Sequence, residues 1–440
     1  MMKRSWFWVF GLVVLIVVVG EFFLLKMDLE KRQKNCGERG LPRIEITLNG
    51  GNIEEIDNGD KEIKYVGNNL EICEEEKSDN YEEVEIKGRG NGTWAQEKKP
   101  YQIKFTKKVD LLEMGKAKKW YLLANATDST HLRNDLAFEL ADMLGMEYVF
   151  SGKFVELYID EEYRGLYYLT HAMEINKESV NLKNPLGILV ELDNVYGKNE
   201  KHYTTGEEDL LVIKDVVKED QTEIAMADFL QKYNELEIAI KEKDFEKIEE
   251  LTDVKSFAKY FLLSEFTVNP DAYWTSFYFY KDGSEDKIHA GPGWDFDLAF
   301  ANRNWGNWMG ERFYAPTETM IRKQELNSKE YYDERGISGG YEVSLSLSKI
   351  MFNLMDIPEF REEVLEIFQE RLSGRKEEFL NKSLKKASVV RAAAMFDGER
   401  WGKDDFDDAV RELIDWIRKR FDYLEQEYGD RGWQLPLKLL

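Results

Sequence analysis

Gly291-Pro292-Gly293-Trp294-Asp295-Phe296-Asp297-Leu298-Ala299-Phe300-Ala301-Asn302 sets two carboxylates two residues apart among large apolar side chains. In an extended backbone successive side chains alternate faces. Asp295 and Asp297 are therefore expected on one face, with Trp294, Phe296 and Leu298 on the other. The apolar face asks for a core, which leaves the acidic face over a cleft. A carboxylate pair fixed just after a Gly-Pro-Gly turn suits Mg²⁺, which takes few protein oxygens and completes its shell with water and phosphate. The plainer reading makes one aspartate a helix cap and the other a strand end. The rest of the chain has to choose between them.

Immediately upstream, Asn269-Pro270-Asp271-Ala272-Tyr273-Trp274-Thr275-Ser276 leads into the aromatic run Phe277-Tyr278-Phe279-Tyr280. That run predicts a strand, and a second strand returns the chain to Asp295. Asp271 and Asp295 are then expected at two loop ends of one ribbon, facing a common space. Beyond the ribbon, helices are predicted over 224–241, 244–251, 254–266, 348–355, 359–373 and 406–428. The first half reads differently. Alternation in Arg43–Leu48, Val84–Lys87, Phe154–Ile159 and Tyr163–Tyr168 predicts strands, as do the apolar runs at Trp120 and Gly187. A single helix is predicted over 132–144, opened by Thr127-Asp128-Ser129-Thr130 and closed by Gly145. Arg133, Asn134 and Glu139 are its notable polar positions. Between strands, Gly88-Arg89-Gly90-Asn91-Gly92-Thr93-Trp94 precedes Tyr101-Gln102-Ile103-Lys104-Phe105. Glycines let backbone N–H groups approach phosphate oxygens, and Lys104 on the polar face of the next strand would add a point charge. A simple hairpin with a solvated lysine is the alternative.

The chain has 440 residues, 43% apolar and 13% aromatic, which is enough for two sizeable cores and too apolar for disorder. A formal net charge of −24 argues against nucleic acid, whose phosphates need a cationic face. Trp6 to Gly20 is unbroken apolar sequence, and after Glu21 the run continues to Leu25. This matches one bilayer span, and no small-x-small cleavage site follows it, so an uncleaved single-pass anchor over 1–27 is expected. Residues 28–40 read as a linker. Lys26, Lys31, Arg32, Lys34 and Arg39 after the span outnumber Lys3 and Arg4 before it. By the positive-inside rule this would leave the folded part in the cytoplasm, but long domains translocate regardless of flanking charge. Cys36 and Cys73, the only cysteines, could pair in an oxidising compartment, and an extracytoplasmic folded part is expected.

The combination RGNGTW, KKPYQIKF, KWYLLAN, DSTHLRNDLAFELA, VELYIDEEYRGLYYLTH and WDFDLAFAN, in that order, resembles the spore coat protein H (CotH) kinase family from about Leu41 to Arg375. The resemblance implies an α+β, diverged protein-kinase-like fold of two lobes. A β-rich nucleotide-binding lobe would span 41–200 and a mainly helical lobe 201–440. It implies transfer of the ATP γ-phosphate to Ser/Thr hydroxyls of surface or coat proteins, with Mg²⁺ or Mn²⁺. Asp271 resembles the catalytic aspartate, Asp295 the metal-binding aspartate, with Asp297 as a second metal candidate, and Lys104 the nucleotide lysine. Arg89 would contact phosphate. Glu139 would pair with Lys104, with Glu156 and Glu191 as competitors. Where the family often has Asn after the catalytic aspartate, this chain has Thr275-Ser276. Three rivals are a catalytically silent scaffold, AMP transfer on the same fold, and a metal-dependent hydrolase. The last lacks a histidine cluster, since His131, His171, His202 and His289 are scattered along the chain.

Overall fold

Short alternating strands close the first part of the chain on itself. The structure is a computed structural model that describes residues 36–74, 77–269, 271–302 and 348–429. In chain order come β1 (Arg43–Thr47), α1 (Ile53–Asn58), β2 (Tyr65–Glu74), β3 (Lys77–Gly88), β4 (Tyr101–Asp110) and β5 (Lys116–Leu123). Then follow α2 (Arg133–Met143), β6 (Gly152–Ile159) and β7 (Glu162–His171). Most neighbours pair antiparallel, and β1 pairs parallel with β6, which closes the order β1-β2-β3-β4-β5-β7-β6 into a barrel. Every second residue points inward, so Ile44, Ile46, Ile86, Ile103, Trp120 and Leu157 fill the interior. Each fully buried side chain of this size contributes about 1.5–3 kcal/mol.

The second sheet is built from β8 (Gly187–Leu192), β9 (His202–Thr204), β10 (Leu210–Val216), β11 (Phe277–Asp282) and β12 (His289–Ala290), in the order β12-β11-β8-β10-β9. Between β10 and β11 run α3 (Thr222–Glu242), α4 (Phe245–Leu251) and α5 (Val254–Thr267). The chain finishes with α6 (Ile350–Met355), α7 (Pro358–Arg371), α8 (Lys376–Trp401) and α9 (Phe406–Tyr428). These helices, the second sheet and α2 share one continuous core. Within it the Phe266 ring of α5 meets Phe421 of α9 edge-to-face at 4.6 Å, and the fully buried Arg420 pairs with Glu265 at 2.8 Å. Strand β7 serves both cores: Tyr167 and Leu169 point into the barrel, and Leu166 and Tyr168 into the helical core.

The fold is α+β, as expected. The helix predicted over 132–144 is α2, and the Asp128 carboxylate accepts the Arg133 N–H at 3.0 Å at its start. Four strands, β9 to β12, fall after residue 200, in the stretch expected to be mainly helical. Helix α8 was not predicted. Its buried stripe has large apolar residues only at Phe379, Leu380 and Val390, and Ser383, Ala387, Ala393, Ala394 and Gly398 between and after them dilute the apolar signal. Cys36 and Cys73 are joined in a disulfide. No described helix is long and apolar enough to cross a membrane, and the anchor predicted over 1–27 lies outside the described residues.

Candidate active site

Where the barrel meets the second sheet, a cavity of about 650 Å³ opens. On the barrel side it is lined by the loop after β3, including Arg89, Gly90 and Thr93. Gly90 has φ +79°, and a Cβ there would lie 2.1 Å from Thr93 Oγ1, so only glycine allows this turn. The Arg89 guanidinium stacks 4.2 Å from the Tyr121 ring centroid and has no acidic partner among the described residues. On the opposite side the cavity is lined by Asp271, Asp295 and Asp297. The ribbon of β11 and β12 places them, with Asp271 before its first strand and Asp295 after its second.

The local geometry at Asp295 differs from the extended reading. Asp295 has φ +65°, so the backbone turns there and the simple alternation of faces does not apply. Tyr273 and Ser276 on the Asp271 side are also left-handed, a concentration of strained non-glycine residues typical of functional loops. Ser276 Oγ donates to Asp295 Oδ2 at 3.1 Å, and Thr127 Oγ1 donates to Asp297 Oδ2 at 3.2 Å. Asp271 and Asp297 are only 8% and 7% exposed. Burial, and then the charges of Asp295 and Asp193, push the Asp271 carboxyl well above the usual range. Burial, and then Asp295 and Asp271, do the same to Asp297. Such mutual repulsion is what a bound cation relieves.

Lys104 and Glu139 do not join this cluster. Lys104 is half-buried on β4, opposite Glu85 and Lys119, whereas Gln102, two residues earlier on the same face, is the β4 residue that lines the cavity. Glu139 forms ion pairs with Lys382 at 2.6 Å and Lys386 at 3.6 Å of α8, because it lies on the face of α2 turned to that helix. Among the lysines and glutamates that line the cavity, Lys214 of β10 pairs at 2.8 Å with the buried Glu191 of β8, the latter one of the two competitors to Glu139. Burial alone would lower the Lys214 ammonium, but the Glu191 charge and hydrogen bond more than offset it and hold its pKa above the ordinary value. The ladder between β8 and β10 slips between Ile213 and Asp215, so Lys214 sits in an irregularity that re-aims its side chain. Nothing in local sequence announces that. Glu191 also accepts the Ser276 N–H at 3.1 Å, and Asp193 accepts the Thr275 hydroxyl at 3.0 Å. The Thr275-Ser276 pair thus ties β8 to the loop that carries Asp271.

Among the described residues no group of three His, Cys, Asp or Glu side chains makes a ready-made metal cage. Mg²⁺ does not need one, since it is commonly held by one or two carboxylates together with phosphate oxygens and water. Asp295 and Asp297, both on the cavity wall, fit that requirement.

The sequence signature of the CotH kinase protein family matches residues 86–424, which includes all of the cavity lining except Lys61 and Glu62. The chain belongs to the CotH kinase family. No individually curated protein matches it. Within the CotH kinase signature, the segments RGNGTW, KWYLLAN, DSTHLRND and WDFDLAFAN each supply residues to the cavity lining.

Proposed function

We propose that this CotH-family chain is an ATP-dependent protein kinase that phosphorylates Ser/Thr hydroxyls of surface or coat proteins. The observation that carries the proposal is the meeting, in one cavity, of a glycine-rich loop with Arg89, the Lys214–Glu191 pair, and Asp271, Asp295 and Asp297. Arg89 and Lys214 are cations suited to the triphosphate, Lys214 being steered by Glu191. The barrel then acts as the nucleotide-binding lobe and the second core as the catalytic lobe of a two-lobed kinase-like fold. Asp295 and Asp297 would hold Mg²⁺ or Mn²⁺, which when bound neutralises charge on the phosphate oxygens. Asp271 orients the acceptor hydroxyl and accepts its proton as the hydroxyl oxygen bonds to the γ-phosphorus. The bond from that phosphorus to the bridging oxygen breaks, and ADP leaves. The Cys36–Cys73 disulfide supports an extracytoplasmic position for the folded part, with residues 1–27 as a single-pass anchor in the cell membrane.

The test is incubation of the full-length protein with ATP labelled on the γ-phosphate, Mg²⁺ or Mn²⁺, and an acidic Ser-rich acceptor such as casein. Wild type should transfer label, Asp295→Ala should transfer none, and Asp271→Asn should bind nucleotide yet lose about 10²–10⁴-fold in turnover. Products heavier by AMP instead of phosphate would replace the kinase reading with nucleotidyl transfer. A wild type that neither binds ATP nor labels any acceptor would leave a scaffold.

A further inference from the structure

A left-handed aspartate is a costly conformation that persists only where neighbours hold it. For Asp295 they come from two sides. Asn269 Nδ2 donates to the Asp295 carbonyl at 3.2 Å and Ser276 Oγ to its carboxylate at 3.1 Å, while the peptide that follows is held by the run that opens α2. Asn134 Oδ1 accepts the Phe296 N–H at 2.8 Å, and this is the peptide directly after Asp295. Because a backbone N–H can only donate, that contact fixes which end of the amide faces the loop. The other end is fixed as well: Asn134 Nδ2 donates to Asn125 Oδ1 at 3.2 Å, and Asn125 Nδ2 donates to the His131 carbonyl at 3.0 Å. Next to it, Arg133 Nε donates to the Ala299 carbonyl at 2.9 Å. Asn302 Nδ2 donates to the carbonyls of Thr127 at 3.0 Å and Asp297 at 2.6 Å. The carboxylate loop is therefore tied at Phe296, Asp297, Ala299 and Asn302 to one short segment. Asn134, 5% exposed, is the member of that segment that holds the peptide between Asp295 and Phe296.

We infer that Asn134 is a positioning residue for the metal site, acting through the Phe296 peptide, with Asn125 orienting its amide. The inference rests on the reading of Asp295 and Asp297 as cation ligands. The residue type follows from the surroundings. Alanine would leave the buried Phe296 N–H without an acceptor, and aspartate would add a further negative charge beside Asp271, Asp295 and Asp297. Asn134 donates nothing to the reacting groups. It sets where Asp295 points, so its loss should loosen metal capture before it loosens the fold.

The experiment is Mn²⁺ titration of the full-length protein, followed by electron paramagnetic resonance of free Mn²⁺, with a non-hydrolysable ATP analogue present. Asn134→Ala should raise the Mn²⁺ concentration at half-saturation about tenfold, the cost of one buried, oriented hydrogen bond. Its kcat should fall while the KM for the acceptor protein stays unchanged. Asn125→Ala, which leaves Asn134 in place but unsteered, should shift the titration in the same direction by less, and it serves if Asn134→Ala does not fold. Leu136→Ala, in the buried face of the same helix, is the stability control and should lower the melting temperature without moving the Mn²⁺ titration. An Asn134→Ala protein that titrates like wild type overturns the inference while leaving the metal site standing. So does a Leu136→Ala protein that shifts equally. A wild type that captures no Mn²⁺ overturns the metal reading and the inference with it.

Discussion

Replacing His131 should remove a defined part of the protein's sensitivity to acid. The ring is 6% exposed, its Nε2 lies 3.4 Å from Asp397 Oδ2, and its Nδ1 has no hydrogen-bond partner among the described residues. The charged groups around it are Asp397, Lys98, Asp128 and Lys403. Burial, aided by Lys98 and opposed by Asp397, lowers its pKa to about 4. An unfolded chain takes up this proton near pH 6.5. Between those values the unfolded state binds the proton and the folded state does not, so stability falls as pH falls. At about 1.4 kcal/mol per pH unit across roughly 2.5 units, the full loss is about 3–4 kcal/mol, absent well above pH 6.5 and amounting to about 3 kcal/mol by pH 4. The assay is urea unfolding of wild type and His131→Leu from pH 7.5 to pH 4. Taking the difference between the two cancels buried carboxyls such as Asp57 and Glu237, whose raised pKa values act in the opposite direction. The wild-type stability relative to the variant should drop by about 3 kcal/mol across the window. A difference flat to within about 0.5 kcal/mol would refute the reasoning and show the imidazole taking up its proton in the folded protein over the same pH range as in the unfolded chain.

Three further outcomes follow from contacts described above. Lys214→Ala should weaken ATP binding by about 10–100-fold, the loss of a charge-assisted contact, whereas Lys104→Ala should leave it within about twofold; calorimetric titration with the nucleotide compares them. Replacing Cys36 and Cys73 by serine opens a loop whose ends are 37 residues apart and should lower stability by about 2–4 kcal/mol, read as a lower urea midpoint. Arg420→Ala removes the guanidinium 2.8 Å from the buried Glu265 and should cost about 3–5 kcal/mol, whereas replacing both by apolar residues of similar volume should recover most of it.

What the sequence made legible was periodic or motif-like. Period-two alternation located β1, β4, β6 and β7, and helical spacing located α2, α3, α5 and α9, because in each the buried face is made of large apolar residues. The placement of Asp271 and Asp295 at the two ends of a ribbon was legible from the aromatic strand between them. The lysine that lines the cavity beside Glu191 was not. Lys104 looked right because it follows a glycine-rich loop, yet the register of β4 leaves it opposite Glu85 and Lys119, away from the cavity lining. Lys214 looked ordinary because a slip in the β8–β10 ladder, invisible in composition, is what turns it toward Glu191. Glu139 was the natural partner by position on its helix, but α8, the helix hidden by its small-residue stripe, carries the lysines that claim it.

The docking of α9 has a consequence for the order in which a newly made chain matures. All seven barrel strands lie before residue 172, so they can pair while the remainder is still being synthesised. The other core cannot finish early. Phe300, five residues after Asp295, meets Trp416 of α9, and Phe266, five residues before Asp271, meets Phe421. Both loops that carry the carboxylates therefore wait for the last described helix to leave the ribosome. A nascent or C-terminally clipped chain has its glycine-rich loop in place and its acidic side unbuttressed, which ties competence to completion of the polypeptide.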